Sequence, residues 1–180
     1  MVIQYQPTLE DLLAFNRYHI DHSPSLRRYH QYVRIGTSVL CIVVCLVTFY
    51  ALTQSFRIPI AFYAIAFGLG IFFYFALPSM IWSSTKKRIE RMFREGQNKG
   101  MAKLTTLSIG QDSMEANNGL STSKLVWSAI EKMSVTDEYI FMYVSAMNAV
   151  VVPKRAFATE AQRQEFIQLA QQYHRLTNAA

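Results

Sequence analysis

Residues 35–56 read IGTSVLCIVVCLVTFYALTQSF, and residues 58–85 read IPIAFYAIAFGLGIFFYFALPSMIWSST. Neither stretch holds a charged side chain, and only Arg57 divides them. A hydrocarbon core about 30 Å thick is crossed by roughly 20 helical residues, so each stretch is long enough to span one. Backbone polar groups in lipid must be satisfied within their own segment, so both stretches predict helices. The few residues around Thr53–Ile58 then require a tight turn, which gives a helical hairpin over residues 35–82. The alternative is an apolar hairpin buried in a soluble protein. Uncharged runs of 22 and 28 residues exceed what such a core asks for. The first run begins after 34 residues, ends without a small-x-small cleavage pattern and is followed at once by a second run. It therefore reads as a retained span and not as a cleaved leader.

Charge places the flanks. The chain carries a net charge of +6, which by itself could suit a nucleic-acid partner. The positive residues instead gather beside the spans. Arg17, Arg27, Arg28 and Arg34 precede the first. Lys86, Lys87, Arg88, Arg91, Arg94, Lys99 and Lys103 follow the second, and the turn holds Arg57 alone. Positively charged short loops stay on the cytoplasmic side, so both termini are predicted to be cytoplasmic. Tyr29, Tyr32 and Trp82 suit the inner interface, and Tyr50, Phe56 and Tyr63 the outer one. Neither span has an ionisable Asp, Glu, Lys, Arg or His, which argues against transport by this chain alone. Gly68 and Gly70 permit close helix approach, but GxxxG spacing is absent, so the signal for a homo-oligomer is weak. Pro78 is positioned to kink the second span. Cys41 and Cys45 lie four apart in the first span and read as small packing residues.

The remaining sequence predicts an α+β arrangement. Met1–Tyr5 suggests a short strand. Thr8 and Asp11 resemble a capping box at the head of an amphipathic helix that ends at Ser23-Pro24. Thr85–Arg94 continues as a basic amphipathic helix with Gly96 as its stop. From Met101 the period changes to short strands. They are separated by the turn signals Gly110-Gln111-Asp112, Asn117-Asn118-Gly119, Thr136-Asp137-Glu138 and Ala146-Met147-Asn148. Thr159 and Gln162 form a second capping box, opening a helix with Phe166, Leu169, Ala170 and Tyr173 on one face. The predicted plan is an N-terminal cytoplasmic segment (1–34), a transmembrane hairpin (35–82), a basic juxtamembrane helix and link (83–100), and a soluble module (101–180). In that module an antiparallel meander of five or six strands is closed by the C-terminal helix, an arrangement similar to a reduced pleckstrin-homology-like domain.

The chain resembles the YcxB-like family of bacterial membrane proteins. The resemblance rests on Tyr5, Thr8 and Asp11 before the hairpin. In the module it rests on Trp127 and Ile130 in WSAI, Tyr139 in DEYIFMY, and Pro153, Lys154, Arg155 and Phe157 in VVPKRAF. It implies an integral inner-membrane protein with a cytoplasmic pleckstrin-homology-like domain and no settled activity.

Trp127, Ile130, Tyr139, Pro153 and Phe157 read as structural anchors. Lys86, Lys87, Arg88, Arg91, Arg94, Lys154 and Arg155 read as contacts for lipid headgroups or a partner, each worth on the order of 1 kcal/mol beside anionic lipid. A phosphoinositide pocket would need a basic loop between the first strands, and GQDSMEANNG (Gly110–Gly119) is acidic and polar. His19 and His22 have workable ligand spacing, but no signature is completed, so no metal and no cofactor are expected. No nucleophile elbow, phosphate loop or dinucleotide fingerprint is present. Asp112, Glu115, Asp137 and Glu138 fall in or near turns, where solvated carboxylates are ordinary. The expected function is a non-catalytic interaction or regulatory module tethered to the bacterial inner membrane, with a protein partner. An accessory subunit of a transport or envelope complex, or a tethered enzyme, is the alternative.

Overall fold

The computed structural model describes residues 1–54, 59–94 and 103–178. Phe56 and Arg57 of the turn, the Gly96 stop, the Gly96–Gly100 link and the strand start at Met101 lie outside the described residues. The chain forms two compact units: Met1–His19 with Ile89–Ala180, and Ile20–Arg88.

The second unit contains two long apolar helices. Helix α1 covers Leu9–His22, and α2 runs through Pro24–Thr53. Ser23 between them is extended (φ −82°, ψ 116°), as a residue before proline prefers, and Pro24 opens α2. The basic stretch before the first apolar run is thus part of the same helix. Helix α3 runs unbroken through Ile60–Arg94, across Pro78 and into the basic segment. Both α2 and α3 are long and apolar enough to cross a membrane. Arg34 donates from Nε to the Tyr74 carbonyl at 3.0 Å and lies over the Tyr74 ring at 4.1 Å. Phe49 and Phe62 meet at 4.6 Å. A Cβ placed on Gly70 would come within 2.9 Å of Ile42, whereas one on Gly68 meets nothing within 4 Å. Only Gly70 marks a close approach.

Among the described residues, the first unit holds seven strands and a closing helix. Strands β1 (Val2–Tyr5), β2 (Thr105–Ile109), β3 (Ser113–Asn117) and β4 (Thr122–Val126) make one antiparallel sheet in that order, here sheet A. Strands β5 (Lys132–Val135), β6 (Tyr139–Ser145) and β7 (Asn148–Pro153) make a second, sheet B. The predicted single meander is corrected here: the strands divide four and three, and neither sheet is closed. The cause is local. Trp127–Ala129 turns as a short 3₁₀ helix, closed by the Ile130 N–H donating to the Trp127 carbonyl, and it separates β4 from β5. Gly110–Gly119 holds β3 between the two turns that the sequence predicts, the first with Gly110 N–H on the Ser113 carbonyl at 2.9 Å and the second with Gly119 at φ 76°, so it is not a single loop between the first strands.

Strand β1 pairs with β2 in the register Val2↔Ser108 to Tyr5↔Thr105. The ladder extends to Met1, whose carbonyl accepts from Ile109 N–H at 2.8 Å. Ile3 and Tyr5 thereby enter the core with Leu107, Ile109, Met114 and Trp127. Burying such side chains contributes about 1.5–3 kcal/mol each.

Strand β6 is buried on both faces. Ile140 and Met142 face this main core, and Phe141 and Tyr143 face a second cluster with Phe15 of α1. Tyr18 of α1 stacks on Phe141 at 4.8 Å. Helix α4 (Glu160–Asn178) contributes Phe166, Ile167 and Ala170 to the main core. Its first turn holds a capping arrangement, with Gln162 N–H on Thr159 Oγ1 at 3.2 Å and Ala158 N–H on Gln162 Oε1 at 2.7 Å. Arg163, buried on the same helix, donates to the Thr136 carbonyl and to Glu160 and so pins α4 to the β5–β6 turn.

Candidate binding cleft

Asp11 is the most buried carboxylate among the described residues, at 3 % exposure. The sequence placed it in the first turn of α1 through its pairing with Thr8. The structure shows both arms: Thr8 N–H donates to Asp11 Oδ2 at 2.8 Å, and Asp11 N–H donates to Thr8 Oγ1 at 3.4 Å. A capping carboxylate normally stays in water. This one faces the short turn after β7, where Arg155 meets it as a fork. Arg155 Nη1 donates to Oδ1 at 2.7 Å and Nη2 to Oδ2 at 2.5 Å. Arg155 Nη2 also reaches the Gln6 carbonyl at 3.1 Å. A planar guanidinium suits this two-point geometry.

The electrostatics follow. Burial pushes the Asp11 carboxyl up, but hydrogen bonds from Arg155 and Thr8 outweigh it and hold the group below the usual carboxylate range. The hydrogen bond to Asp11 raises Arg155 in turn. Burial, with the Asp11 charge nearby, pushes the Tyr5 phenol up to about 12. Burial and the same charge also raise Tyr139. All these shifts keep the pair charged and the phenols neutral, which is the signature of a structural clasp.

Beside the clasp opens a cleft of about 280 Å³. It is lined by Tyr5, Thr8 and Asp11, by Ala116 of β3 and Ser123 of β4, and by Ala149–Val151 of β7. A neighbouring cavity of about 220 Å³ shares Ala116, Ser123, Ala149 and Val150 and continues between the sheets toward Leu125. The lining is mainly small apolar side chains and hydroxyls.

The residues singled out by sequence are distributed as follows. Trp127 and Ile130 are fully buried in the main core. Trp127 Nε1–H donates to the Gly110 carbonyl at 2.9 Å, and its ring lies 5.7 Å from Tyr173. Phe157 packs on Phe166 at 5.3 Å. Pro153 ends β7, where Tyr139 is its cross-strand partner. Tyr139 stacks on Phe141 at 5.7 Å, in the cluster under α1. Lys86, Lys87, Arg88, Arg91 and Arg94 all lie on α3. Lys154 sits 3.9 Å from Glu160, and both are half-exposed. Arg155 is engaged by Asp11, which gives its charge a partner within the fold. Sequence reasoning treated Asp11 only as a cap, because its partner is 144 positions away. Buried Arg163 was also missed. Its position three before Phe166, on the face of α4 that meets the core, was the available signal.

No curated protein and no solved structure matches the chain. From the end of β2 into α4, residues 109–170 match the family model described as YcxB-like protein, the family that the sequence resembles.

Proposed function

We propose that this is a two-span protein of the bacterial inner membrane, with both termini in the cytoplasm, that tethers a non-catalytic pleckstrin-homology-like interaction module. The observation that carries the reading is the pairing of β1 with β2. These strands flank the two apolar helices in sequence yet belong to one sheet, so both flanks share a compartment. A hairpin of two crossings meets that requirement, and a single crossing does not. The weight of Lys and Arg on both flanks supports the cytoplasm as that compartment. Seven antiparallel strands in a four-plus-three arrangement, followed by one helix, support the pleckstrin-homology-like assignment. The basic side chains Lys86, Lys87, Arg88, Arg91 and Arg94 would meet anionic headgroups.

The cleft supports the interaction role. Among the described lining residues the one carboxylate is Asp11, and it is bound to Arg155 and Thr8. That favours recognition over chemistry. The test is affinity capture of the tagged full chain from detergent extract. A stoichiometric protein partner is the expected result. Turnover of a substrate library by the purified chain, with no partner recovered, would overturn it.

A further inference from the structure

The cleft is bordered by Ala149, Val150 and Val151 in succession, and the adjoining cavity by Asn148, Ala149 and Val150. Side chains alternate along a strand, so a sheet face presents every second residue. β3 does so with Met114 and Ala116, whereas β4, itself an edge strand of sheet A, lines the cavity with Ser123, Lys124 and Leu125 in succession. Lining residues in unbroken sequence mean that β7 turns its edge, backbone included, into the cleft. β7 pairs with β6 on its other side, and among the described residues Ala149–Val152 have no further backbone partner. In an antiparallel ladder alternate residues aim N–H and C=O away from the partner strand. Groups so aimed would border a mostly apolar cleft, where a missing hydrogen bond is costly.

We infer that the β7 edge and the cleft beside it are a docking site for an extended, uncharged segment of a partner protein, rich in small and β-branched residues, which adds to sheet B as a fourth strand. The backbone groups select the class of occupant: a peptide can pair with them, and a hydrocarbon chain cannot. The charge state selects its composition. Asp11 is paired with Arg155, and Lys124 lies 3.7 Å from Glu115, so among the described lining residues each charge already has a partner. A segment that pairs as a strand favours β-branched residues, and Ala116 and Ala149 line the cleft with small side chains. The inference rests on the reading of the module as an interaction domain and names the form of its partner.

The probe is a displayed library of short linear peptides, panned on the full chain in nanodiscs. The selected peptides should be uncharged and β-branched. They should bind Ser123→Trp at least about tenfold more weakly, since the indole fills the cleft from the sheet A wall. N-methylation of alternate peptide amides should weaken binding to the wild-type chain by a similar factor. That series needs no variant, so it decides the matter even if Ser123→Trp fails to fold. Absence of binders, binders indifferent to N-methylation, or equal binding to a folded Ser123→Trp would overturn the inference. So would a fluorescent fatty acid, or self-association of the chain, that alone is lost in Ser123→Trp. If a captured protein partner binds the cleft variant undiminished, the interaction-module reading stands and this docking site falls.

Discussion

Val39, Leu40, Val47, Ile65, Phe72 and Phe75 of the Ile20–Arg88 unit are more than half exposed, whereas Leu107, Trp127, Ile140 and Val152 of the other unit are fully buried. The two units hold similar kinds of apolar residue. The strand–helix unit closes them on one another, and the helical unit turns them outward. Water does not sustain outward apolar surface on that scale in a monomer, and lipid does. The difference teaches that helix length alone says little about location. A core helix and a spanning helix are told apart by where their side chains end up.

The sharpest way to break this contrast is inside the module. Trp127 fills the core, and its indole N–H has one partner, the Gly110 carbonyl. Trp127→Ala in the full chain should cost about 3–5 kcal/mol, read as lost amide protection in β2–β7 while α2 and α3 keep their helicity in detergent. If protection in the strands is retained, the module does not depend on this side chain.

A smaller effect is expected at the clasp. Asp11→Ala leaves a half-exposed Arg155 that water can solvate, so the loss should be about 2 kcal/mol. It should appear first in β1 and α1. The same pair sets a pH dependence. The Asp11 carboxyl titrates below its unfolded value of about 3.9, so its contribution is complete above that pH. The contribution is lost as the pH falls through the lower folded value. Wild type should therefore lose more stability than Asp11→Asn on acidification below about pH 4. Parallel pH curves for the two would show that the pair contributes nothing.

The smallest effect belongs to the helical unit. Gly70→Ala presses a methyl group against Ile42 and should cost about 1 kcal/mol in a detergent melt. Gly68→Ala meets open space and should be neutral or slightly stabilising. Equal effects at the two sites would mean that the helices do not approach at Gly70.

Much of the chain was legible because its signals are local. The uncharged runs, the Thr8 and Thr159 caps, the strand positions and the turn at Gly119 each depend on a few neighbouring residues. The run Tyr139–Val144 also carried a signal that alternation rules overlook: continuous hydrophobicity, which fits a strand covered on both faces. What the sequence concealed is long-range. The division into two sheets depends on a three-residue 3₁₀ turn at Trp127. The Asp11–Arg155 fork joins positions on opposite sides of the hairpin, and no spacing rule connects them. The cleft is lined by strands of both sheets and by the N-terminal segment, a tertiary fact with no counterpart in the order of residues.

The central claim is that one module is assembled from both flanks of a membrane hairpin. Gln4 and Thr106 are cross-strand partners on the outer side of sheet A, with Gln4 Nε2 donating to Thr106 Oγ1 at 3.2 Å. Adjacent strands hold such pairs within disulfide range. The measurement is oxidation of Gln4→Cys/Thr106→Cys in isolated inner-membrane vesicles, with Cys41 and Cys45 replaced by alanine. The account predicts an intramolecular disulfide, and thiols at both positions that react from the cytoplasmic face before oxidation. Thiols that label from opposite faces, or that never cross-link, would contradict it.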